Sequence, residues 1–208
     1  MIGAFDNLPR FCDTYVDMPA YSFKNAVVLV RHGQTQWNLE KRAQGHLDSP
    51  LTAEGILQAR ETARRLKDYK FDVVVCSPLG RALETAKIVA GELDVSNIKT
   101  DPNLAERNLG VLQGRTKEES LKNFPHFFDA NSRFIRSSDI PEAESLKDFL
   151  ERTKRAVLNI QDLSESKNVL VVTHDGTLNA FLAHVKGVSL DEIQKLYRFE
   201  HGEPVKLV

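Results

Sequence analysis

Cysteine is scarce. The 208 residues hold two, Cys12 and Cys76. They can form one bridge at most, so a disulfide framework and a cysteine-rich metal site are both excluded. Long apolar runs are missing too; none approaches the roughly eighteen residues that a membrane-spanning helix needs. The first residues, Met1-Ile2-Gly3-Ala4-Phe5-Asp6, carry no basic stretch followed by an apolar one. No secretory signal is read there, and the cytoplasm is the default location. Charge of one sign is absent as well: 28 Lys plus Arg stand against 29 Asp plus Glu, a net charge of -1. That disfavours a basic nucleic-acid binder or a membrane-surface protein, while a local basic pocket stays open. No internal repeat or low-complexity tract interrupts the chain. Hydrophobic residues at 41% and charged residues at 27% describe an ordinary globular domain with room for one sizeable core.

What is present reads as alternating strands and helices. Residues 1–24 contain Pro9, Pro19 and aromatics without a period, and are read as an irregular arm, ordered at most by Phe11, Tyr15, Tyr21 and Phe23. Residues 25–208 are read as a single domain. Ala26–Val30 is a short solid apolar run, the mark of a strand buried on both faces. Thr52 caps a helix predicted to about Lys67, with Ile56, Ala59, Ala63 and Leu66 on one face. Phe71–Cys76 is a second buried strand. Ser77 and Pro78 then supply an N-cap and a first-turn proline for a helix to about Ala90. A short strand is predicted at Ile98–Asp101. Thr116 with Glu119 makes a capping box, and a mixed region with Phe124, Phe127, Phe128 and Phe134 follows, read as core in preference to a lid. A helix from about Ala143 to Leu163 precedes a third buried strand, Val169–Thr173. Helix signals resume at Thr177–His184, and Ser189 with Glu192 boxes a short helix to Leu196. Tyr197–Glu200 and Val205–Leu207 are expected to form a terminal hairpin or turn. Its edge can pair with a second copy, so monomer and homodimer both stay open. The βαβα order predicts an α/β fold with a mostly parallel open sheet and helices on both faces.

Three of these strands run out into polar groups: Arg31-His32-Gly33, Cys76-Ser77-Pro78 with Arg81 one turn on, and Thr173-His174-Asp175-Gly176. Ligands in open α/β sheets bind beyond the carboxyl ends of the strands. Arginine receives a phosphate dianion through bidentate, charge-assisted bonds, helix starts add backbone N–H groups, and imidazole is a nucleophile or acid/base near neutral pH. Singly, each residue has a plain reading: a histidine after a strand is structural, an arginine in a first turn is solvated, and Ser-Pro is a cap. Together they suggest a phosphate site. Two histidines among carboxylates also raise the idea of a metal site, which the adjacent arginines disfavour.

The sequence Arg31-His32-Gly33-Gln34-Thr35-Gln36-Trp37-Asn38 resembles the signature of the histidine phosphatase superfamily, the phosphoglycerate-mutase-like proteins. The resemblance continues through Gln44-Gly45, Asp48, Pro50-Leu51-Thr52, Gly55 and Gln58-Ala59. Ser77-Pro78-Leu79 with Arg81-Ala82 and Thr85-Ala86 resembles a second block, and Glu106-Arg107 with Gly110, Leu112, Gln113 and Gly114 an acid-bearing third. Glu144-Ser145 and Thr173-His174 complete the order, over about residues 26 to 185. The resemblance implies a three-layer phosphoglycerate-mutase-like fold and a metal-independent phosphomonoester hydrolase, without cofactor, working through phosphohistidine. It implies His32 as nucleophile, Arg31, Arg81 and His174 as holders of the phosphoryl oxygens, and Glu106 as general acid. Thr35 and Asn38 would line the entrance, and Gly33 would let the backbone turn closely beside His32. One departure stands out: the family commonly has glycine after the second histidine, whereas this chain has Asp175. It is read as a cap for the helix beginning near Gly176, with an arginine partner or a positive substrate group as alternatives. His46, His126, His184 and His201 lie outside these blocks and are read as surface or packing residues.

Family mutases usually carry a longer insertion after the acid-bearing block, with an arginine pair. Here the segment from Gly114 to Pro141 is short. Arg115, Lys117, Lys122, Arg133 and Arg136 give it positive charge without an adjacent arginine pair. Hydrolysis of a small phosphorylated metabolite is therefore favoured, with Arg115 as a candidate for a second anionic group. The alternatives are a cofactor-dependent phosphoglycerate mutase and a noncatalytic phosphate-binding protein.

Overall fold

In a computed structural model, which describes residues 21–132, 135, 139–197 and 199–207, the described strands form one sheet. They are β1 (Val27–Arg31), β2 (Val73–Cys76), β3 (Ile98–Thr100), β4 (Val169–Thr173) and β5 (Pro204–Lys206), in the order β3-β2-β4-β1-β5. The first four are parallel, and β5 runs antiparallel along the outer edge of β1. The helices are α1 (Gln36–Leu39), α2 (Ala53–Leu66), α3 (Gly80–Glu92), α4 (Lys117–Asn123), α5 (Leu146–Ser164), α6 (Asp175–Lys186) and α7 (Leu190–Leu196).

The solid apolar strands follow from burial on both faces, because successive side chains point to opposite sides. Val27, Leu29, Val73, Val75, Val169 and Val171 join Ala156, Val157, Ile160, Leu178, Phe181 and Ile193 of α5, α6 and α7 in one core. Val28, Val30, Val74, Cys76, Leu170 and Val172 join Ala59, Ala63, Leu66, Ala82, Ala86 and Val89 of α2 and α3 in the other. This is the three-layer arrangement expected. Each fully buried Val or Leu contributes about 1.5–3 kcal/mol. A third cluster of Leu112, Phe127 and Ile140, with Phe124 and Phe128 packed against it, makes those aromatics core; Phe134 lies outside the described residues.

The local caps are as the sequence predicts at Thr52, Thr116 and Ser189, whose hydroxyls accept N–H bonds from the first turns of α2, α4 and α7; α5 starts later than the expected Ala143, and Ser145 caps it in the same way. Two caps differ. Leu79, not Ser77, occupies the N-cap position of α3, and its side chain makes no capping bond. The carboxylate of Asp48 reaches in from a distant loop and accepts from the N–H groups of Gly80 and Arg81 instead. His174 holds the N-cap position of α6, so Asp175 is the first helical residue rather than the cap. The terminal hairpin is also replaced: residues 197 and 199–200 are not strand, and Pro204–Lys206 pairs with β1. Of the N-terminal arm, Phe23 is buried and Tyr21 packs against the same core, while Asn25 is tied to the Ser164 carbonyl. Phe11, Tyr15 and Cys12 lie outside the described residues.

Candidate active site

β2, β4 and β1 are neighbours at the centre of the sheet, and their pairing runs on past the strand ends. The His32 N–H donates to the Thr173 carbonyl at 2.9 Å, and the Ser77 N–H donates to the Val172 carbonyl at 3.0 Å. Ser77, His174 and Arg31-His32 are thereby held in register at one sheet edge. A cavity of about 230 Å³ opens there, lined by Arg31, His32, Asn38, Arg42, Arg81, Glu106, Arg107, Asp175 and Gly176, among others.

His32 is buried, and its Nδ1 lies 2.8 Å from the Gly33 carbonyl. A carbonyl only accepts, so Nδ1 carries the proton and Nε2 keeps its lone pair. The Arg81 Nε–H donates to that Nε2 at 3.3 Å. Burial, and after it the Arg81 guanidinium, hold the imidazole well below its ordinary value of 6.5, so the ring is neutral near neutral pH. Gly33 is needed for close packing rather than for a turn: a Cβ there would stand 2.4 Å from the Gly55 carbonyl oxygen.

Arg81 is almost wholly buried, and every nitrogen of its guanidinium is engaged. Nη1 donates to the Leu47 carbonyl and to Asp48 Oδ1, each at 3.0 Å, and Nη2 donates to the Gly45 carbonyl at 2.9 Å. Arg31 donates from Nη1 to the Phe199 carbonyl at 2.8 Å, while its buried Nε has no partner. His174 is fully buried, and its ring centroid lies 5.2 Å from that of His32. Burial, then Arg81, His32 and Arg31, hold it well below its ordinary value. Its Nε2 meets the Ser77 hydroxyl at 2.7 Å, and its Nδ1 has no partner. Of these two buried nitrogens without a partner, one belongs to Arg31, which lines the cavity, and the other to His174, whose ring stands next to His32.

The Glu106 segment is secured by its backbone. The carbonyls of Leu104, Ala105 and Glu106 accept from Thr173, Thr177, Arg152 and His46. Arg152 is itself held by the Glu144 carboxylate at 2.6 and 2.8 Å. The Glu106 carboxylate accepts from the N–H groups of Arg107 at 2.9 Å and Gly176 at 3.1 Å.

The predicted residues are not all brought together. Arg31, His32, Asn38, Arg81 and Glu106 line the cavity, and His174, edge-on to His32, is not among its lining residues. Thr35 is fully buried and does not line it; its hydroxyl and N–H serve the cap of α1. Arg115 is not there either: its Nε donates to the Val111 carbonyl and its guanidinium lies over the Phe124 ring, so the second-anion reading loses its candidate. Arg133 and Arg136 lie outside the described residues. Arg42 lines the cavity but is paired with Glu40 and Glu119. Asp175 faces the cavity half-exposed, with Oδ1 4.0 Å from Arg31 Nη1. His201, expected to be a surface or packing residue, has its ring centroid 5.6 Å from that of His32. His46, for which the expectation is the same, meets the Glu106 carbonyl at 2.8 Å. Neither histidine had a local signal. Among the described residues, no group of three or more His, Cys, Asp or Glu side chains is arranged to hold a metal ion.

The family model of the histidine phosphatase superfamily (branch 1) matches residues 27–203. Phosphoglycerate mutase-like protein 4 of Arabidopsis thaliana is 40% identical over 156 residues, 74% of this chain and 68% of the relative. The uncharacterized phosphatase PhoE of Bacillus subtilis is 35% identical over 162 residues, 78% of each chain. Among solved structures, the alpha-ribazole phosphatase from Shigella flexneri superposes with a TM-score of 0.75 at 29% identity, over 85% of this chain and 87% of that one.

Proposed function

The chain belongs to branch 1 of the histidine phosphatase superfamily, a phosphatase by family and fold, and from that premise we propose that His32 is the nucleophile of a phosphomonoester hydrolase acting on a small phosphorylated metabolite. One observation carries this reading: the Gly33 carbonyl fixes the His32 tautomer, so a neutral ring presents Nε2 beside a buried arginine in an open cavity.

The lone pair of His32 Nε2 attacks phosphorus, and a P–N bond forms as the P–O ester bond breaks. The Arg81 Nε–H, which lies against that lone pair, is released to a phosphoryl oxygen as the P–N bond forms. Arg31 Nε and His174 Nδ1 serve the others. In this reading the Ser77 O–H donates to His174 Nε2, while its oxygen accepts from the Leu79 N–H at 3.2 Å. That leaves the proton on Nδ1, where an anion is met. The arginines neutralise charge on the equatorial oxygens, as metal ions do in other phosphoryl-transfer sites. Protonated Glu106 gives its proton to the departing alkoxide. The resulting carboxylate then takes a proton from water, whose oxygen attacks phosphorus, and the P–N electron pair returns to His32.

The cavity volume suits a small substrate better than a protein segment, and Leu109, Leu146, Phe149 and Leu190 give its wall an apolar share. The test is phosphate release, with EDTA present, from a panel of small phosphomonoesters. A parallel assay follows 3-phosphoglycerate isomerisation with a trace of 2,3-bisphosphoglycerate. Release without isomerisation is expected, together with acid-labile labelling of the wild-type chain and none of His32→Ala, whose turnover falls to background. Efficient isomerisation with little release would make the chain a mutase, and normal turnover by His32→Ala would remove the assigned nucleophile.

A further inference from the structure

The amide of Asn38 is unusually tied. Its Oδ1 accepts from the Thr35 N–H at 2.9 Å, the Thr35 hydroxyl at 3.0 Å and His201 Nε2 at 3.1 Å. Three donors on one amide oxygen fix the amide plane and its flip, because only the oxygen accepts. The opposite end of the same group, the NH2, is then the donor that Asn38 offers to the cavity it lines.

Two of these donors are local to the cap of α1. The third arrives from 163 residues away. The segment that carries it is docked on the site's own strand: the Gly202 N–H donates to the Arg31 carbonyl at 3.0 Å, and the Phe199 carbonyl receives the Arg31 side chain. The Gly202 carbonyl is in turn held by the Thr62 hydroxyl of α2. His201 therefore sits on a rigid footing between Asn38 and His32. Burial, with Arg31 next, lowers its pKa to about 4, so near neutral pH its one N–H is the one given to Asn38.

We propose that His201 is a positioning residue of the active site, donating its Nε2–H to Asn38 Oδ1 and so aiming the Asn38 amide at the phosphoryl end of the substrate. The proposal rests on the phosphatase reading above. His201 touches neither substrate nor the reacting atoms; it acts through Asn38.

The experiment is a double-mutant cycle on phosphate release from p-nitrophenyl phosphate. It uses the wild-type chain, His201→Leu, His201→Gln, Asn38→Ala and the His201→Leu/Asn38→Ala pair, with a thermal melt of each. One lost hydrogen bond predicts a fall of about three- to tenfold in kcat/KM for His201→Leu. His201→Gln retains an amide N–H donor and keeps most of the activity. The double variant is expected to be no worse than Asn38→Ala alone, because the histidine has nothing left to position. Losses that multiply would place the action of His201 elsewhere and overturn the proposal. So would an unchanged His201→Leu, or a folded His201→Gln as poor as His201→Leu. No phosphate release by the wild-type chain would overturn the phosphatase reading and this proposal with it; release with multiplying losses would overturn this proposal alone.

Discussion

The Ser77 hydroxyl at the end of β2 stands 2.7 Å from Nε2 of His174 at the end of the neighbouring β4. A serine of this kind, followed by proline, usually caps the next helix. Here its oxygen accepts from the Leu79 N–H only at a stretched 3.2 Å, and its closer partner is the histidine. Ser77→Ala leaves a buried imidazole nitrogen without a partner, at a cost of about 1–3 kcal/mol. The expected outcome is a lower urea midpoint together with slower phosphate release, both largely restored in Ser77→Thr. A variant as stable and active as the wild type would dissociate the pair from the site.

Glu106 and Gly176 make a second pair. A Cβ on Gly176 would stand 2.5 Å from Glu106 Oε1, so Gly176→Ala pushes the carboxylate aside while leaving the sheet intact. Glu106→Gln removes the proton outright. Both variants are expected to lose about 10²–10⁴-fold on alkyl phosphates and much less on an activated aryl phosphate, whose leaving group needs no proton. Steady-state rates on the two substrate types decide it; equal losses would argue against an acid role.

Asp48 has two duties, capping α3 and pairing with Arg81. Asp48→Ala is expected to cost about 0.5–2 kcal/mol for the cap, and phosphate release falls as Arg81 loses a partner. Asp48→Asn keeps an oxygen for the N–H groups of Gly80 and Arg81. It should recover more of the stability than of the activity, as denaturation curves and rates on one preparation will establish.

Four histidines, His32, His174, His184 and His201, are held below the ordinary imidazole value, in each case chiefly by burial. The unfolded chain protonates them near their ordinary value of 6.5, and the folded chain only at lower pH. Between those limits the unfolded state binds more protons, so stability rises with pH through the window and is complete above it. For His201 the window closes near 4. Urea midpoints at about pH 7.5, 6 and 5 should descend in that order. A flat or rising series would mean that these rings are charged in the fold.

The parts legible in the sequence are those whose causes lie within a few residues. Val27–Val30, Val73–Cys76 and Val169–Thr173 are strands because a solid Val-rich run must be buried on both faces. Thr116 with Glu119 and Ser189 with Glu192 are capping boxes because both partners share one turn. The convergence of Arg31, His32, Arg81 and His174 follows from strand ends in one parallel sheet. Asp48 capped a helix 32 residues ahead of it, and His201 met Asn38 across 163 residues. No local pattern encodes either, because each depends on where a loop lands after the sheet has formed. Arg115 failed for the complementary reason: a charge counted in a segment says nothing about direction, and a nearby ring and carbonyl took it.

The strand β1 is bordered on one side by β4 and on the other by β5, and both borders come late in synthesis. Arg31 and the carbonyl of Phe199 that receives it are 168 residues apart. Until β4 and β5 have been made, a nascent chain therefore carries the first signature residues on a valine-rich strand with both backbone edges bare. Such an edge is a template for pairing with other chains, and loop closure over this distance is slow to be rewarded by contacts. Pro204–Lys206 is thus a protection against aggregation as well as a strand, because it covers the outer backbone edge of β1.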